Sequence, residues 1–349
     1  MKKTLLLFAI ASITTNVFSQ SRAEALFDEG TALYDQGKYA EAIDKYKESY
    51  KLDSNNIVLF SEMAMAYMAL QDFPNTEYIC QKAINKFPND PDLKSIYSTY
   101  GNSFDKREKP EEALKIYEQG LAKFPKYYML YYNKGISEFN LKKHYDARVS
   151  FQASIKLNPT HAGSYFHLSV VEDYFENRIS AILCLARYLV LEPKGKRTER
   201  ILPYFTKKVN ELYYRAKKDG VTIVKITQKN RFDKDPYIFE QLEQGILDIE
   251  TKLLSTPEVQ GQPDYEKLAQ KMQTICENLK VYKKDNTDFY WTYLAPYFIE
   301  LESKKYVTAF TYYINSFVGV NKAVAEKWIE QNKQEADAFI AWNESYKWQ

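Results

Sequence analysis

Residues 23–56 carry apolar positions at helical spacing twice over. Leu26, Phe27, Gly30, Leu33 and Tyr34 share one face and end at Gln36-Gly37. The pattern restarts at Tyr39, places Ala42, Ile43, Tyr46, Ser49 and Tyr50 on a second face, and stops at Asp53-Ser54-Asn55-Asn56. Two short amphipathic helices joined by a glycine-containing turn are therefore predicted, a helical hairpin. Neither helix is long enough to be stable alone in water, so the hairpin must bury its apolar faces against a neighbour.

The next stretches supply that neighbour. Residues 57–90 repeat the pattern with Phe60, Ala64, Tyr67, Phe73, Cys80, Ala83 and Pro88. Residues 94–127 carry Tyr97, Gly101, Phe104, Ala113, Tyr117, Gly120 and Pro125 in the same phase. Residues 128–161 follow with Tyr131, Gly135, Ala147, Phe151, Ser154 and Pro159, and residues 162–195 with Tyr165, Leu168, Ala181, Leu185 and Pro193. Only Pro91-Asp92-Leu93 interrupts the register. Small residues fall where two helices must approach closely, and prolines where the second helix must stop.

This period and pattern resemble the tetratricopeptide repeat. Leu26 stands where the family has an aromatic, and Thr76 where it has alanine. The resemblance implies an all-α, right-handed solenoid of about five hairpins over residues 23–220, with a capping helix at 196–218. Within the cap, Ile201, Phe205, Val209 and Leu212 form one apolar face, as the end of a stack requires. Arg197, Arg200, Lys208 and Arg215 form a basic face, which is either a solvated surface or a seat for an acidic partner or lipid headgroups.

Residues 221–349 read as a helical C-terminal domain. Val221–Ile226 fits a short strand or an extended linker. Asp235-Pro236 starts a helix with Ile238, Leu242, Ile246, Ile249 and Leu253. A polar loop at 257–263 leads to a helix from Asp264 with Leu268, Met272, Ile275 and Leu279. Residues 290–323 fit a degenerate sixth repeat through Tyr293, Tyr297, Tyr306, Ala309, Tyr313 and Ser316, with Pro296 against it. A last helix opens at Asn321 and carries Val324, Trp328, Phe339 and Trp342.

Residues 1–19 read as a secretory signal: Lys2 and Lys3, an apolar core from Leu5 to Ile13, then Val17 and Ser19 before cleavage ahead of Gln20. The expected location is the periplasm or the exterior. No cysteine follows the core to take a lipid, and no later apolar run is long enough to span a bilayer. Forty-eight basic and forty-six acidic side chains argue against a polyelectrolyte or a nucleic-acid partner. Cys80, Cys184 and Cys276 are scattered and odd in number, so they form neither a disulfide framework nor a metal site. His144, His161 and His167 match no zinc motif, and no phosphate-binding or nucleophile motif occurs. No catalytic residue, metal or cofactor is expected.

The family resemblance implies binding instead, on a groove lined by the first helices of successive hairpins. Its positions correspond to Phe27, Tyr34, Met65, Met68, Asn102, Asp105, Tyr132, Asn133, Ile136, Phe139, Asn140, Phe166, His167, Val170 and Tyr174. Asn102 and Asn133 match the two asparagines of members that clamp a peptide carboxylate, whereas Ser98, Gly163 and His167 replace the clamp's cations. The expectation is a non-enzymatic exported scaffold that holds an internal or apolar segment of a protein in a cell-envelope complex. The groove is either open or filled by the C-terminal domain. The alternative is an enzyme-associated or glycan-binding protein acting through Trp291, Trp328 and Trp342 of that domain.

Overall fold

The computed structural model describes residues 20–218, 264–283 and 287–348, and among these every regular element is helical. The expected signal, the Val221–Ile226 segment and the helix after Asp235 lie outside the described residues. The chain divides into two compact units, Met1–Leu157 and Asn158–Gln349. The sequence pattern suggests a division near residue 220; the contacts instead place the fifth hairpin with the C-terminal helices.

The first unit holds four hairpins. Helix α1 covers residues 20–35 and pairs with α2 (Tyr39–Leu52); α3 (Ile57–Ala69) pairs with α4 (Phe73–Lys86). Next come α5 (Leu93–Lys106) with α6 (Pro110–Lys123), and α7 (Tyr128–Asn140) with α8 (His144–Leu157). Each turn uses one device. A residue in the left-handed region, Gly37, Gln71, Glu108 or Lys142, follows the first helix with φ between 57 and 76°. The next amide then reaches back five residues, as Lys38 does to the Leu33 carbonyl and Lys109 to that of Phe104, each at 2.9 or 3.0 Å. This closes the helix end and reverses the chain. Side-chain caps are used sparingly: Asn56 accepts from the Val58 and Leu59 amides, and Asp72 from that of Asn75.

Close packing within a hairpin rests on one recurring pair, sixteen residues apart: Gly30 with Tyr46, Gly101 with Tyr117, and Gly135 with Phe151. A Cβ built on Gly30 would lie 2.5 Å from Tyr46 Cε1, one on Gly101 2.1 Å from Tyr117 Cε1, and one on Gly135 2.7 Å from Phe151 Cε1. The aromatic ring therefore occupies the space a side chain would take. Where the first member is larger the second is smaller: Ala64 stands opposite Cys80, and Ser169 opposite Leu185. All five second-helix members are fully buried.

Between hairpins, α3 packs along α5 and α5 along α7, whereas α4 and α6 do not pack along each other, nor do α6 and α8. The first helices thus form the tighter, inner layer of a curved stack and the second helices the outer one. Small residues at the outer-helix junctions, Ser49, Ala83, Gly120 and Ser154, are all buried. A Cβ on Gly120 would meet Leu130 and Tyr97 at 2.9 Å, so this glycine admits the next first helix.

The second unit begins with the fifth hairpin, α9 (Ala162–Tyr174) and α10 (Arg178–Leu191), turned by Glu176 at φ 61°. Its junction position holds Tyr188, fully buried, instead of a small residue. The long α11 (Lys196–Lys218) follows, with Ile201, Phe205 and Val209 buried on one side. After α12 (Asp264–Tyr282), which buries Leu268, Met272, Ile275 and Leu279, a π-turn at Tyr290–Leu294 leads into α13 (Ala295–Ser303). The Ala295 amide bonds to the Tyr290 carbonyl, so Pro296 enters at a helix start, where a missing N–H costs little.

The expected sixth hairpin forms only in part. α13 and α14 (Val307–Asn315) are joined through Lys305 at φ 62°, as in the other turns. Both pack on α12, however, and not along each other. The reason is steric: the seat that holds glycine, alanine or serine elsewhere holds Tyr297, opposite Tyr313. The single C-terminal helix expected from Asn321 is two, α15 (Lys322–Gln331) and α16 (Lys333–Ser345). Asn332 breaks it, its side chain donating to the Trp328 carbonyl at 2.9 Å in competition with the helix ladder.

A buried arginine ties this unit together. Arg187 is 1% exposed. Its guanidinium lies 4.2 Å from the Tyr297 ring centre and 4.8 Å from that of Trp348. It donates to Asn343 Oδ1 at 2.8 Å, which also accepts from the Tyr297 hydroxyl at 2.8 Å. Aromatic faces and one amide thus replace the water its charge has lost. All three cysteines are free and buried, and burial pushes each thiol up.

Two stability measurements follow from the packing. Truncating Phe151 or Tyr117 to alanine should cost ~3–5 kcal/mol in denaturant unfolding. Gly101→Ala should cost ~1–3 kcal/mol in the native background through overpacking and far less once Tyr117→Cys has emptied the seat. Additive costs in that double-mutant cycle would show that the pair does not share the space.

Candidate functional site

The inner layer of the first unit is the surface to which the sequence candidates map. Its helices bury one side against the outer helices and leave the other partly open. Met65, Met68, Tyr132, Ile136 and Phe139 are all half-buried, and Asn140 is exposed. Three rings lean on the layer behind: Phe27 lies 5.8 Å from Tyr46, Tyr132 6.1 Å from Phe151, and Phe139 5.0 Å from His144. Tyr34 packs edge-on against Tyr39 at 5.1 Å. These side chains are held in place yet not consumed by the core.

The two asparagines sit differently from a free peptide clamp. Asn133 is buried at 6% exposure, and its amide donates to Ser98 Oγ at 2.8 Å. Asn102 Oδ1 lies 2.7 Å from the Tyr117 hydroxyl, which is also 2.7 Å from Asp105 Oδ2. Ser137 in turn donates to Asp105 at 2.7 Å. The amides therefore help to fasten α5, α6 and α7 to one another, and only their remaining capacity is open to a ligand. Burial, and then the Asp105 charge, push the Tyr117 phenol well above its ordinary range. Glu138, 3% exposed, is satisfied by Lys134 and by Ser150 Oγ at 2.6 Å.

In the second unit the corresponding positions are engaged by α11. Arg197 lies 5.8 Å over the Phe166 ring. Asp173 pairs with Lys208 at 2.8 Å and accepts from the Tyr204 hydroxyl. Part of the basic face expected on the cap is thus spent inside the unit. His167 Nδ1 faces the Gly163 carbonyl at 2.9 Å, and burial holds its pKa below the usual range. Val170 is half-buried, while Tyr174 is exposed and packs edge-on against Phe175.

Of the tryptophans weighed for glycan contact, Trp328 and Trp342 are half-buried and Trp291 is buried. Trp291 is 2% exposed. Trp328 lies flat on Tyr312 at 4.3 Å, and Trp342 stacks on Tyr297 at 4.9 Å while donating to Glu300 at 2.7 Å. Among the described residues no cluster of histidine, cysteine or carboxylates could hold a metal, and no helix is long and apolar enough to cross a membrane.

Of the acidic residues at the inner-face positions, the sequence names Asp105 as a candidate and leaves the others out. The same helix positions that give Tyr34 and Met65 also give Glu24, Asp28, Asp35, Glu62 and Asp105, against the single cation Lys106. Reading charge at those positions would have shown them.

Comparisons with known proteins agree with this build. Residues 23–56 and residues 101–162 match models described as tetratricopeptide repeat. A stretch of 104 residues is 35% identical to RNA polymerase II-associated protein 3 of Homo sapiens, covering 30% of this chain and 15% of that protein. Another of 101 residues is 32% identical to Photosystem I assembly protein Ycf3 of Prochlorococcus marinus, covering 27% of this chain and 58% of that one. The chain thus spans less than two thirds of the curated relatives it matches, from 9% to 58% of their length. Among solved structures, a thermophilic TPR protein of Thermus thermophilus matches at 14% identity and a TM-score of 0.45, over 54% of this chain and 99% of that one. MamA of Desulfovibrio magneticus RS-1 matches at 17% identity and a TM-score of 0.39, over 49% and 93%. With five hairpins of one build, the chain carries stretches that match the tetratricopeptide repeat at residues 23–56 and 101–162.

Proposed function

We propose that this protein is a non-enzymatic exported scaffold that holds a peptide or protein segment on the inner helix layer of its first unit, within a cell-envelope complex. The observation that carries the binding reading is the partly open row formed by Met65, Met68, Tyr132, Ile136 and Phe139. Apolar side chains that packing leaves half-exposed on two helices of the inner layer, α3 and α7, favour a partner that covers them. The hairpins supply a scaffold suited to protein–protein interaction. The export reading rests on the Lys2-Lys3 start and the apolar core before Ser19.

Two experiments test this. A photo-crosslinking residue at Ile136 should yield a discrete adduct in cells, and the same residue at Tyr145 on the outer α8 should not. Adducts at both positions, or at neither, would move binding away from the inner layer. Mass spectrometry of the native protein should find Gln20 as the first residue; a retained Met1 would remove the export reading.

A further inference from the structure

We infer that Arg187 is the anion-binding member of a ligand site in the second unit, covered by the segment 346–348, and that the site takes an aromatic ring bearing a carboxylate. The inference is independent of the inner-layer reading of the first unit.

The buried guanidinium carries it. Arg187 is 1% exposed, and among the described residues it pairs with no carboxylate. Its one hydrogen bond goes to the neutral Asn343 Oδ1 at 2.8 Å, and its Nε, closed off from solvent, meets no acceptor. The rings of Tyr297, Trp348 and Tyr165 lie 4.2, 4.8 and 5.9 Å from it. Such faces solvate a cation without neutralising it. Buried charges ordinarily come with an ionic partner, as the 3% exposed Glu138 does with Lys134. Arg187 is the exception.

The wall of the site formed by Trp348 differs from the others. Tyr165 stands on α9, Arg187 on α10, Tyr293 in the π-turn and Tyr297 on α13. Trp348 lies beyond the end of α16 in no regular element, and it is half-buried. It stacks on Tyr293 at 5.1 Å and on Tyr297 at 5.5 Å, with the rings 27° and 10° from parallel. Tyr346 packs edge-on against Tyr297 at 5.0 Å, and Lys347 between the two rings is exposed. Ring contacts therefore seat this segment, and a segment held without a helix ladder is among the first to open.

The chemistry of the ligand follows from what Trp348 gives and what it lacks. When it swings out, an indole-sized seat opens between Tyr293, Tyr297 and Arg187. An incoming ring restores the stacking, and a carboxylate beside that ring makes the charge-assisted hydrogen bonds that the guanidinium now lacks. The fold has already removed water from Arg187, so the ligand faces only its own dehydration. A neutral aromatic merely repeats the contacts of Trp348.

The test compares N-acetyl-tryptophan with N-acetyl-tryptophanamide, the same ring with and without the charge. Titrated by ligand-observed NMR into the full chain carrying Trp348→Ala, the acid should bind at least about tenfold tighter than the amide. Arg187→Gln in that background should bring the acid down to the amide's level. The wild-type protein supplies a readout that needs no variant to fold. Trypsin cleavage after Lys347, followed by mass spectrometry of the peptide beginning at Trp348, should be faster with the acid than with the amide. Cleavage after the exposed Lys143, in the turn of the fourth hairpin, serves as the reference. Equal affinity for acid and amide, or an unchanged acid affinity in the Arg187 variant, overturns the anion assignment. Binding of neither probe overturns the site. Cleavage after Lys347 that the acid speeds no more than the amide overturns the segment's place as its cover.

Discussion

The close approach of two helices around one ring is the constraint on which the rest depends. In each hairpin a residue on the first helix and its counterpart on the second divide one fixed volume between them. Glycine leaves room for tyrosine or phenylalanine, alanine for cysteine, and serine for leucine. Protein interiors are packed to crystal density, so neither member can change alone without a cavity or a clash. Where the division fails, at Tyr297 and Tyr313, two shorter helices joined by the same turn no longer close on each other.

The outer layer carries this packing, which frees the inner one. The open sides of α3, α5 and α7 contribute little to the core, so their residues are chosen by other demands. What they hold is a mixture of apolar rings, methionines and the carboxylates Glu62 and Asp105, tied laterally by Ser98–Asn133 and by the Tyr117, Asp105 and Ser137 hydrogen bonds. These lateral ties cross from one hairpin to the next and fix the spacing of the surface that a partner would meet. In the second unit the same role falls to aromatic stacking around Arg187, which brings the end of the chain onto the fifth hairpin.

The hairpins were legible in the sequence because their signal is periodic and repeated. One such hairpin pattern is weak, and five in phase are not. The left-handed turn residues were hidden, since only Gly37 among the five is a glycine, and Gln71, Glu108, Lys142 and Glu176 give no sign of their conformation. The C-terminal topology was unreadable for a related reason: its elements meet through contacts distant in sequence, such as Arg187 with Asn343 and Tyr297 with Trp348. Of the candidate surface, the apolar members were found from helix position. The engagement of Asn102 and Asn133 was not, because a side-chain amide looks the same in sequence whether it serves a ligand or the next helix.

Tyr188 has a consequence for the size of the molecule. Serine, alanine and glycine at the earlier junctions, Ser49, Ala83 and Gly120, each admit another copy of the hairpin, but a buried tyrosine at the fifth does not. The fifth junction is thus filled from within the hairpin itself. A lineage that gained a hairpin by duplication inside residues 23–157 would keep every junction intact, whereas one inserted after residue 195 would have to replace Tyr188 first. In this chain a further hairpin is thus more readily admitted among residues 23–157, where the junction residues are small, than after residue 195.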